Sequence, residues 1–417
     1  MFPHRRLDAC VVYLIMSGAS ALFFSLIFTV NMVYQATAVG LNPLQLVLVG
    51  TLLEITGFLF EIPTGVVADV YSRRLSVIIG TALIGAGFLI EGSAPRFETV
   101  LLAQVVWGIG ATFISGASDA WVADEIGVER AGRTYLRASQ VGRATGLIGI
   151  PVSVALASIA IAAPILLGGA LFVGLAVFLA LLMPEDSFKP APVDASTSWR
   201  DLLSTFRAGV RLVRVRPLLL TMLALSAVGG MFSEGFDRLW TIHILEDFTL
   251  LALGEAQPVV WFGVISAVGA VLDITAAEIV RRRTNLNDHA AVARALLVLH
   301  LGMIVGVAVF GLAGNFAVAL AAYWLAATLR ATSGPLFMAW INQHVESNVR
   351  ATVLSMTAQA NAFGQIGGGP VVGAIGNAIS VRAALTAAAL ALSPSLALFA
   401  HTLRRAPAPA LAAAEEG

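Results

Sequence analysis

Charged residues are scarce in this 417-residue chain. Asp, Glu, Lys and Arg make up 12% of it and apolar residues 58%, whereas a soluble domain has roughly 25% charged residues. The mean hydropathy is +0.87. A chain with so few charges has too much apolar surface to fold as a water-soluble domain. The composition therefore indicates a protein that crosses a membrane many times.

Cysteine and net charge are also nearly absent. Cys10 is the only cysteine, which excludes an intramolecular disulfide and a cysteine-rich metal site. The 25 basic residues balance the 25 acidic ones, so no overall positive field attracts nucleic acid. HExxH, GxSxG and P-loop motifs are missing as well. We therefore expect no enzyme, no cofactor, no metal site and no nucleic-acid partner.

Long apolar runs, by contrast, are abundant. A helix needs about 20 apolar residues to cross a bilayer, and the chain contains twelve such runs, at 11–36, 44–68, 75–92, 99–123, 139–161, 165–183, 218–243, 258–280, 290–312, 316–341, 352–375 and 381–403. We number them spans 1 to 12. The pattern predicts an all-α membrane protein with an N-terminal six-helix bundle (1–183), a cytoplasmic linker (184–217), a C-terminal six-helix bundle (218–403) and a disordered tail (404–417).

The basic residues predict the orientation. With the N-terminus in the cytoplasm, 20 of the 25 Lys and Arg residues fall on the cytoplasmic side and only Arg96 and Arg382 fall outside. Such a bias is the positive-inside rule. We therefore expect a multi-pass protein of the inner (plasma) membrane with both termini in the cytoplasm.

The two halves of the chain resemble each other. Ser115-Gly116 in span 4 recurs as Ser333-Gly334 in span 10, a shift of 218 residues, and Gly146 and Gly149 in span 5 recur at the same shift in span 11. A constant shift across two adjacent spans predicts a duplicated six-helix unit. Because each unit has an even number of spans, the repeats are parallel, an arrangement common in secondary transporters.

Ionisable side chains inside the spans predict a polar pathway. A charge at mid-bilayer costs roughly 2.5–3.5 kcal/mol on insertion scales, so it persists mainly beside a cavity or a partner. No Asp, Glu, Lys or Arg lies in the central part of spans 3, 6, 9 and 12, which are therefore expected on the lipid side, with His300 of span 9 incidental. The embedded ionisable residues are Glu54, Glu61, Asp119, Arg143, Glu234, Asp237, Arg238, Asp273 and Arg330.

Six embedded acids face three embedded arginines, so either some acids are protonated or the cavity receives a cation. Glu234 and Arg238 are spaced i,i+4 and are predicted to pair. Asp119 and Arg143 have similar depths and are also expected to pair. Either pair could instead only hold helices together.

Two sets of functional residues follow from these positions. Proton coupling is predicted at Glu54, Asp119, Glu234 and Asp237, with Glu54 the preferred titrating group because its own helix offers it no partner. The predicted substrate cavity combines embedded charges with polar and aromatic side chains of spans 1, 7 and 11, and comprises Asn31, Tyr34, Glu54, Arg143, Arg238, Trp240, Asp273, Arg330 and Asn361.

The loop after span 2 reads GVVADVYSRR, from Gly65 to Arg74. It resembles the signature loop of the major facilitator superfamily, G-x-x-x-D-R/K-x-G-R/K-R/K, and departs from it at Val70 and Ser72. The resemblance covers essentially the whole chain, and the segments FEIPTGVVAD, DAWVADE, SEGFDRLW and RATVLSM look like those of bacterial drug:proton antiporters that export macrolides or tetracyclines. Gln104, however, replaces the arginine that many antiporters of this type have in span 4.

The resemblance implies a conformational latch. In the family, the loop aspartate and arginine and an acid at the cytoplasmic end of span 4 form a charge cluster that stabilises the outward-facing state. The matching residues are Asp69, Arg73 and Asp124, and Gly65 at the start of the same loop is expected to allow a close helix contact.

Two functions remain open. The preferred one is proton-coupled efflux of a hydrophobic or amphipathic small molecule by alternating access. The alternative is an importer or facilitator of a polar metabolite, in which Arg143, Arg238 and Arg330 could bind an anion. In both cases we expect a monomer whose partners are a small-molecule substrate, protons and the lipid bilayer.

Overall fold

The computed structural model of the protein describes residues 7–190, 217–250, 259–285, 288–345 and 347–405. Throughout these ranges the secondary structure is helical, with no strand among the described residues. Most of the predicted linker (191–216) and nearly all of the predicted disordered tail (406–417) lie outside them, so both remain predictions.

All twelve apolar runs form helices, which confirms the predicted fold class. The bounds are Ala9–Phe28 with Asn31–Thr37 (span 1), Pro43–Val66 with the π-helical turn Val67–Tyr71 (span 2), Arg73–Ser93 (span 3), Phe97–Ile114 with Ala117–Ile126 (span 4), Val128–Ala157 (span 5), Ala163–Leu182 (span 6), Pro217–Asp247 (span 7), Val259–Arg283 (span 8), His289–Leu312 (span 9), Phe316–His344 (span 10), Ser347–Ala378 (span 11), and Val381–Leu392 with Pro394–Arg405 (span 12).

Eleven of these spans are long and apolar enough to cross a membrane by length and composition. Span 11 is the exception, because Gln359, Asn361 and Gln365 interrupt its apolar sequence. A spanning helix with several polar residues is stable only where they face protein or water, so span 11 is the segment that most needs a polar neighbourhood.

Local sequence signals set where several helices begin and break. Asn42 and Gln45 form a reciprocal capping box at the start of span 2, and Pro43 occupies the first turn. The Ser72 side chain caps span 3, accepting a hydrogen bond from the Leu75 amide at 2.8 Å. Span 4 breaks at Gly116, whose φ of +74° is a conformation that a side chain would strain.

The sequence repeat has a structural counterpart in the packing. Span 1 packs against span 5 as span 7 packs against span 11, and span 3 packs against spans 4 and 6 as span 9 packs against spans 10 and 12. The backbones of spans 7 and 11 come very close where Gly230 faces Asn361 and Gly364 faces Ala227, so neither glycine has room for a Cβ atom. Two six-helix units with the same internal order result.

The two halves meet on one side of the protein. We call the side that contains the Ser72 loop the inner side, predicted to be cytoplasmic, and the opposite side the outer side. In the outer half, Val47 of span 2 packs against Gly369 and Gly373 of span 11, and Val154 of span 5 packs against Gly263 of span 8. One buried apolar cluster joins side chains of both halves here, so the outer side is closed.

The inner side is open. Two adjoining cavities occupy the middle and inner parts of spans 2, 4, 7, 10 and 11. The inner ends of spans 5 and 8 are well exposed, with Val128 at 81% and Ile279 at 55% relative exposure. The protein is therefore in an inward-open conformation, with the predicted cytoplasmic side taken as inner.

Candidate substrate cavity and charged network

The central cavity has two lobes. The larger has a volume of about 650 Å³ and lies mainly between spans 7, 10 and 11, and the smaller, of about 330 Å³, lies between spans 2, 4 and 11. Glu54 and Ala358 line both lobes. Most of the lining is apolar, and the polar side chains of the larger lobe are Glu54, Ser226, Ser233, His300, Arg330, Ser333, Thr357, Asn361 and Gln365.

Glu54 is the carboxyl group at the junction of the lobes. Its side chain is half-buried and, within the described part of the chain, forms no hydrogen bond or ion pair. The charges of Glu234 and Arg238 on span 7 nevertheless act on it across the interface between the halves. A carboxyl group that is accessible but has no fixed partner can exchange protons or bind a substrate cation.

The predicted pair of Glu234 and Arg238 is present and buried between the halves. The Arg238 Nε donates to Glu234 Oε1 at 3.0 Å, and Glu234 is only 3% exposed. Span 2 leaves room for the pair at Gly50, where a Cβ atom would collide with both side chains. The pair therefore sits in the closed outer interface rather than in the open cavity.

A second ion pair joins spans 7 and 10. Arg330 donates a hydrogen bond from each terminal nitrogen to the carboxylate of Asp237, one of them at 2.7 Å. Arg330 also lines the larger lobe. Tyr323 interacts electrostatically with both members of this pair and with Asp273 of span 8. The Asp273 Oδ1 is buried without a hydrogen-bond partner among the described residues.

Uncharged amides form an edge of the larger lobe. Asn361 donates from Nδ2 to the Ser226 carbonyl at 3.2 Å, and Gln365 donates from Nε2 to Asn361 Oδ1 at 2.8 Å. Both side chains line the cavity. This edge offers hydrogen bonds without charge, and it explains why span 11 can be less apolar than the other spans.

Of the nine predicted cavity residues, Glu54, Arg330 and Asn361 line a lobe, and six do not, namely Arg143, Arg238, Asp273, Asn31, Tyr34 and Trp240. Asn31 and Tyr34 are buried at the outer end of the N-terminal half, where they contact Glu91. Trp240 stacks on Tyr323 with ring centroids 4.5 Å apart and packs against Phe262. None of the three lines either lobe, because the helix breaks and aromatic packing turn them away from the cavity.

The expected pair of Asp119 and Arg143 is not present among the described residues. Asp119 accepts a hydrogen bond from the Tyr13 hydroxyl at 2.6 Å, and the Tyr135 hydroxyl donates to its backbone carbonyl at 2.8 Å. Arg143 is exposed on span 5. Depth alone suggested this pair, but it does not show which way a side chain points around its helix.

The residues of the predicted latch meet on the inner side. Arg73 forms an ion pair with Asp124, lies 3.8 Å from Asp69, and donates to the Ala120 carbonyl at 3.1 Å. All of these groups belong to the N-terminal half. Gly65, expected to allow a close helix contact, has no neighbour within 4 Å of the position of a Cβ atom in this conformation, so that expectation is wrong for the inward-open state.

The start of the linker strengthens this inner cluster. Glu185 accepts hydrogen bonds from the Ser72 hydroxyl at 2.6 Å and the Arg74 amide at 2.9 Å. Trp121 donates from Nε1 to the Pro184 carbonyl at 2.7 Å. Sequence reasoning treated this segment only as a polar connection, because no local pattern shows which loop it contacts.

Two histidines were also missed or misread. His300, expected to be incidental on the lipid side, lines the larger lobe, and its Nδ1 is buried without a partner among the described residues. His243 of span 7 is fully buried; its Nε2 donates to the Phe310 carbonyl at 2.9 Å, and its Nδ1 lies 2.7 Å from Asp247. Arg382 donates to the same carboxylate at 2.9 Å, so spans 7, 9 and 12 are joined near the outer side.

The fold and the site together define a polytopic transporter, with two pseudo-symmetric helix bundles around a central cavity. Comparison with known proteins agrees. The family model described as Major Facilitator Superfamily matches residues 12–369, and the chain belongs to this superfamily.

Individual relatives are distant. An uncharacterised MFS-type transporter, YxaM of Bacillus subtilis (strain 168), is 22% identical over 366 residues, which cover 85% of this chain and 86% of that protein. Among solved structures, a bacterial homologue of the human lysosomal transporter Spinster, inward-facing and unoccupied, superposes with a TM-score of 0.73 at 14% identity, covering 95% of this chain and 96% of the other. The nucleoside transporter NupG superposes with a TM-score of 0.69 at 15% identity, covering 96% and 100%. At such identities the likeness extends to the fold alone.

Proposed function

We propose that the protein is a secondary active transporter that exports a hydrophobic or amphipathic small molecule across the plasma membrane in exchange for protons. Both termini lie in the cytoplasm in this proposal, and the protein acts as a monomer. The larger lobe supports the substrate class, because an apolar wall with an amide edge accommodates a molecule that has both apolar and hydrogen-bonding parts.

The observation that carries the proposal is the position of Glu54. It is the carboxyl group shared by both lobes, and it has no fixed partner among the described residues. The surrounding network adds Glu234, Asp237 and Asp273, and among the described residues its two ion pairs use Arg238 and Arg330. Two arginines cannot neutralise four carboxylates, so this region favours binding of protons or of a substrate cation.

The proposed cycle follows from competition at this carboxyl group. In the inward-open state, substrate enters from the cytoplasm and favours the ionised form of Glu54. After the halves rock and the outer side opens, a proton from outside binds Glu54 and the substrate leaves. Substrate and proton thus favour opposite facings of the cavity, which is what couples their movements.

Asp119 is a less direct coupling candidate, since Tyr13 occupies its carboxylate. Glu234 and Asp237 would act by releasing their arginine partners as the outer interface opens. The Asp69, Arg73 and Asp124 cluster is proposed as the latch that stabilises the outward-facing state, with Gly65 then facing the C-terminal half.

The test measures uptake of the amphipathic cation ethidium into everted membrane vesicles that are energised by a proton gradient. The wild type is expected to accumulate ethidium, and Glu54→Gln to lose gradient-driven accumulation. Glu278→Gln is the matched control, because Glu278 lies at the inner end of span 8 and, among the described residues, accepts side-chain hydrogen bonds only from Arg281 and Arg282. Full accumulation by Glu54→Gln would remove this residue from the coupling role.

The importer remains a second candidate. Asn361 and Gln365 favour it, because an uncharged amide edge suits a polar metabolite. Right-side-out vesicles given a radiolabelled nucleoside distinguish the two: concentrative uptake of the nucleoside without ethidium export would support import.

A further inference from the structure

A buried acid outside the central cavity lies at the outer end of span 3. Glu91 has 0% exposure. It is surrounded by Asn31, Tyr34 and Gln35, which belong to the short second helix of span 1 and are each at most 3% exposed. Glu91 is the second-last residue of the apolar run 75–92, a position where an acid is unremarkable in sequence. In the fold it is enclosed completely, so its charge state has to be accounted for by the groups around it.

The hydrogen bonds to Glu91 are unevenly distributed. Asn31 donates from Nδ2 to Oε1 at 2.8 Å, and Gln35 donates from Nε2 to the same Oε1 at 2.7 Å. The Tyr34 hydroxyl donates to the backbone carbonyl of Glu91, at 3.0 Å, and leaves the carboxyl group untouched. Oε2 is buried and accepts nothing from the described residues.

The neighbouring amide of Gln35 also has an acceptor oxygen without a donor in the described part of the chain. The Oε1 of Gln35 is also buried without a hydrogen-bond donor among the described residues. Its Nε2 is fixed in orientation, because it donates both to Glu91 Oε1 and to Asn31 Oδ1, the latter at 2.9 Å. Reversing the Gln35 amide would place its oxygen against Glu91 Oε1 and Asn31 Oδ1, two acceptors that cannot bond to it. The orientation with Nε2 toward these two acceptors, and Oε1 without a donor, is therefore the favoured one.

An ionised carboxylate does not suit this arrangement. Two oxygens that share a full negative charge both need donors when they are buried. A carboxylic acid does suit it, since its carbonyl oxygen accepts and its hydroxyl donates. We propose that Glu91 is a proton-binding site, in which Oε1 is the carbonyl oxygen and Oε2–H donates to Gln35 Oε1, closing a cyclic acid–amide pair.

The charged and titratable neighbours fit a neutral Glu91. Among the described residues these are Tyr34 of span 1 and Arg238 of span 7, which acts on Glu91 electrostatically. Arg238 is already paired with Glu234 at 3.0 Å, and span 6 contributes apolar Ile165 and Leu166 beside Gly92. A proton on Glu91 therefore leaves Arg238 free for Glu234, whereas an ionised Glu91 would compete for it. The site does not depend on the direction or the substrate of transport.

Infrared spectroscopy of the full-length protein in lipid nanodiscs at pH 7 tests the proposal. The difference spectrum between wild type and Glu91→Gln is expected to contain the carbonyl stretch of one carboxylic acid, shifted to lower frequency in D₂O. Glu54→Gln and Asp273→Asn are the comparison variants, and the Glu91 band should persist in both. A difference spectrum that contains only carboxylate bands would overturn the proposal.

Stability supplies an independent reading, because glutamine closely imitates a protonated glutamate and can close the same ring with Gln35. Glu91→Gln is expected to fold and to unfold within about 2 °C of the wild type, whereas Gln35→Leu, which removes the ring, should unfold at a clearly lower temperature. A Glu91→Gln variant that fails to fold contradicts the proposal. A second contradicting result would be a wild type that NaCl stabilises and choline chloride does not, with the difference lost in Glu91→Gln. The two oxygens without donors would then bind sodium rather than share a proton.

Discussion

Gly50 offers a direct perturbation of the closed outer interface. A Cβ atom at this position would lie 2.5 Å from the Nε and 2.6 Å from the Nη2 of Arg238, and closer still to Glu234. Such distances are well inside van der Waals contact. Both side chains would have to shift within a buried interface, so Gly50→Ala is expected to disfavour the inward-open conformation in which this interface is closed.

The size of the effect follows from the cost of overpacking. One extra methyl group in a well-packed interior costs typically 1–3 kcal/mol, which corresponds to a shift of about 5- to 150-fold between the two facings. The helix-forming advantage of alanine over glycine, roughly 0.5–1 kcal/mol, applies to both facings and cancels. Gly50→Ala should therefore shift the population toward the outward-facing state.

Spin-label distances between the inner ends of spans 5 and 8 measure this population. Labels at Val128→Cys and Ile279→Cys are well exposed, with Cys10→Ala removing the native thiol. The distance distribution should move to shorter values in Gly50→Ala. Gly174→Ala is the control, because Gly174 has no neighbour within 4 Å of its Cβ position. An unchanged distance distribution in Gly50→Ala would refute the claim that the Gly50 interface is closed only in the inward-open conformation.

Two further predictions use the same preparations. If Arg73 is part of the latch, Arg73→Gln should lengthen the inner-side distances by weakening the outward-facing state, and shorter distances would count against the latch. Asp247→Asn should lower unfolding stability by about 1.5–3 kcal/mol, the usual value of hydrogen bonds to a charged group, because Asp247 accepts from Arg382 and contacts His243. Thermal unfolding in detergent measures it, and a midpoint equal to the wild type would show that the cluster contributes little.

The helices and the repeat were predictable because they depend on one-dimensional patterns. Apolar run length fixes where a chain can cross a bilayer, and the shift of 218 residues between Gly146 and Gly364 follows a real symmetry of packing. The pair of Glu234 and Arg238 was predictable for the same reason, since four residues is one helical turn.

The rest of the site depends on direction around each helix and on contacts between distant segments. Asp119 has the depth of Arg143 but points at Tyr13. Asn31 lies on a span that was predicted to border the cavity, but the break after Phe28 directs it to Glu91. Glu91 itself was overlooked because an acid at the end of an apolar run resembles an interfacial residue, and only the packing of spans 1 and 3 shows that it is buried.

The central claim is that Glu54 binds the proton that substrate displaces. Proton release on substrate binding, followed with a pH indicator in weakly buffered detergent solution, measures this directly. With ethidium as the ligand, the wild type is expected to release about one proton per molecule bound and Glu54→Gln to release none while still binding. Equal release from both proteins would contradict the account.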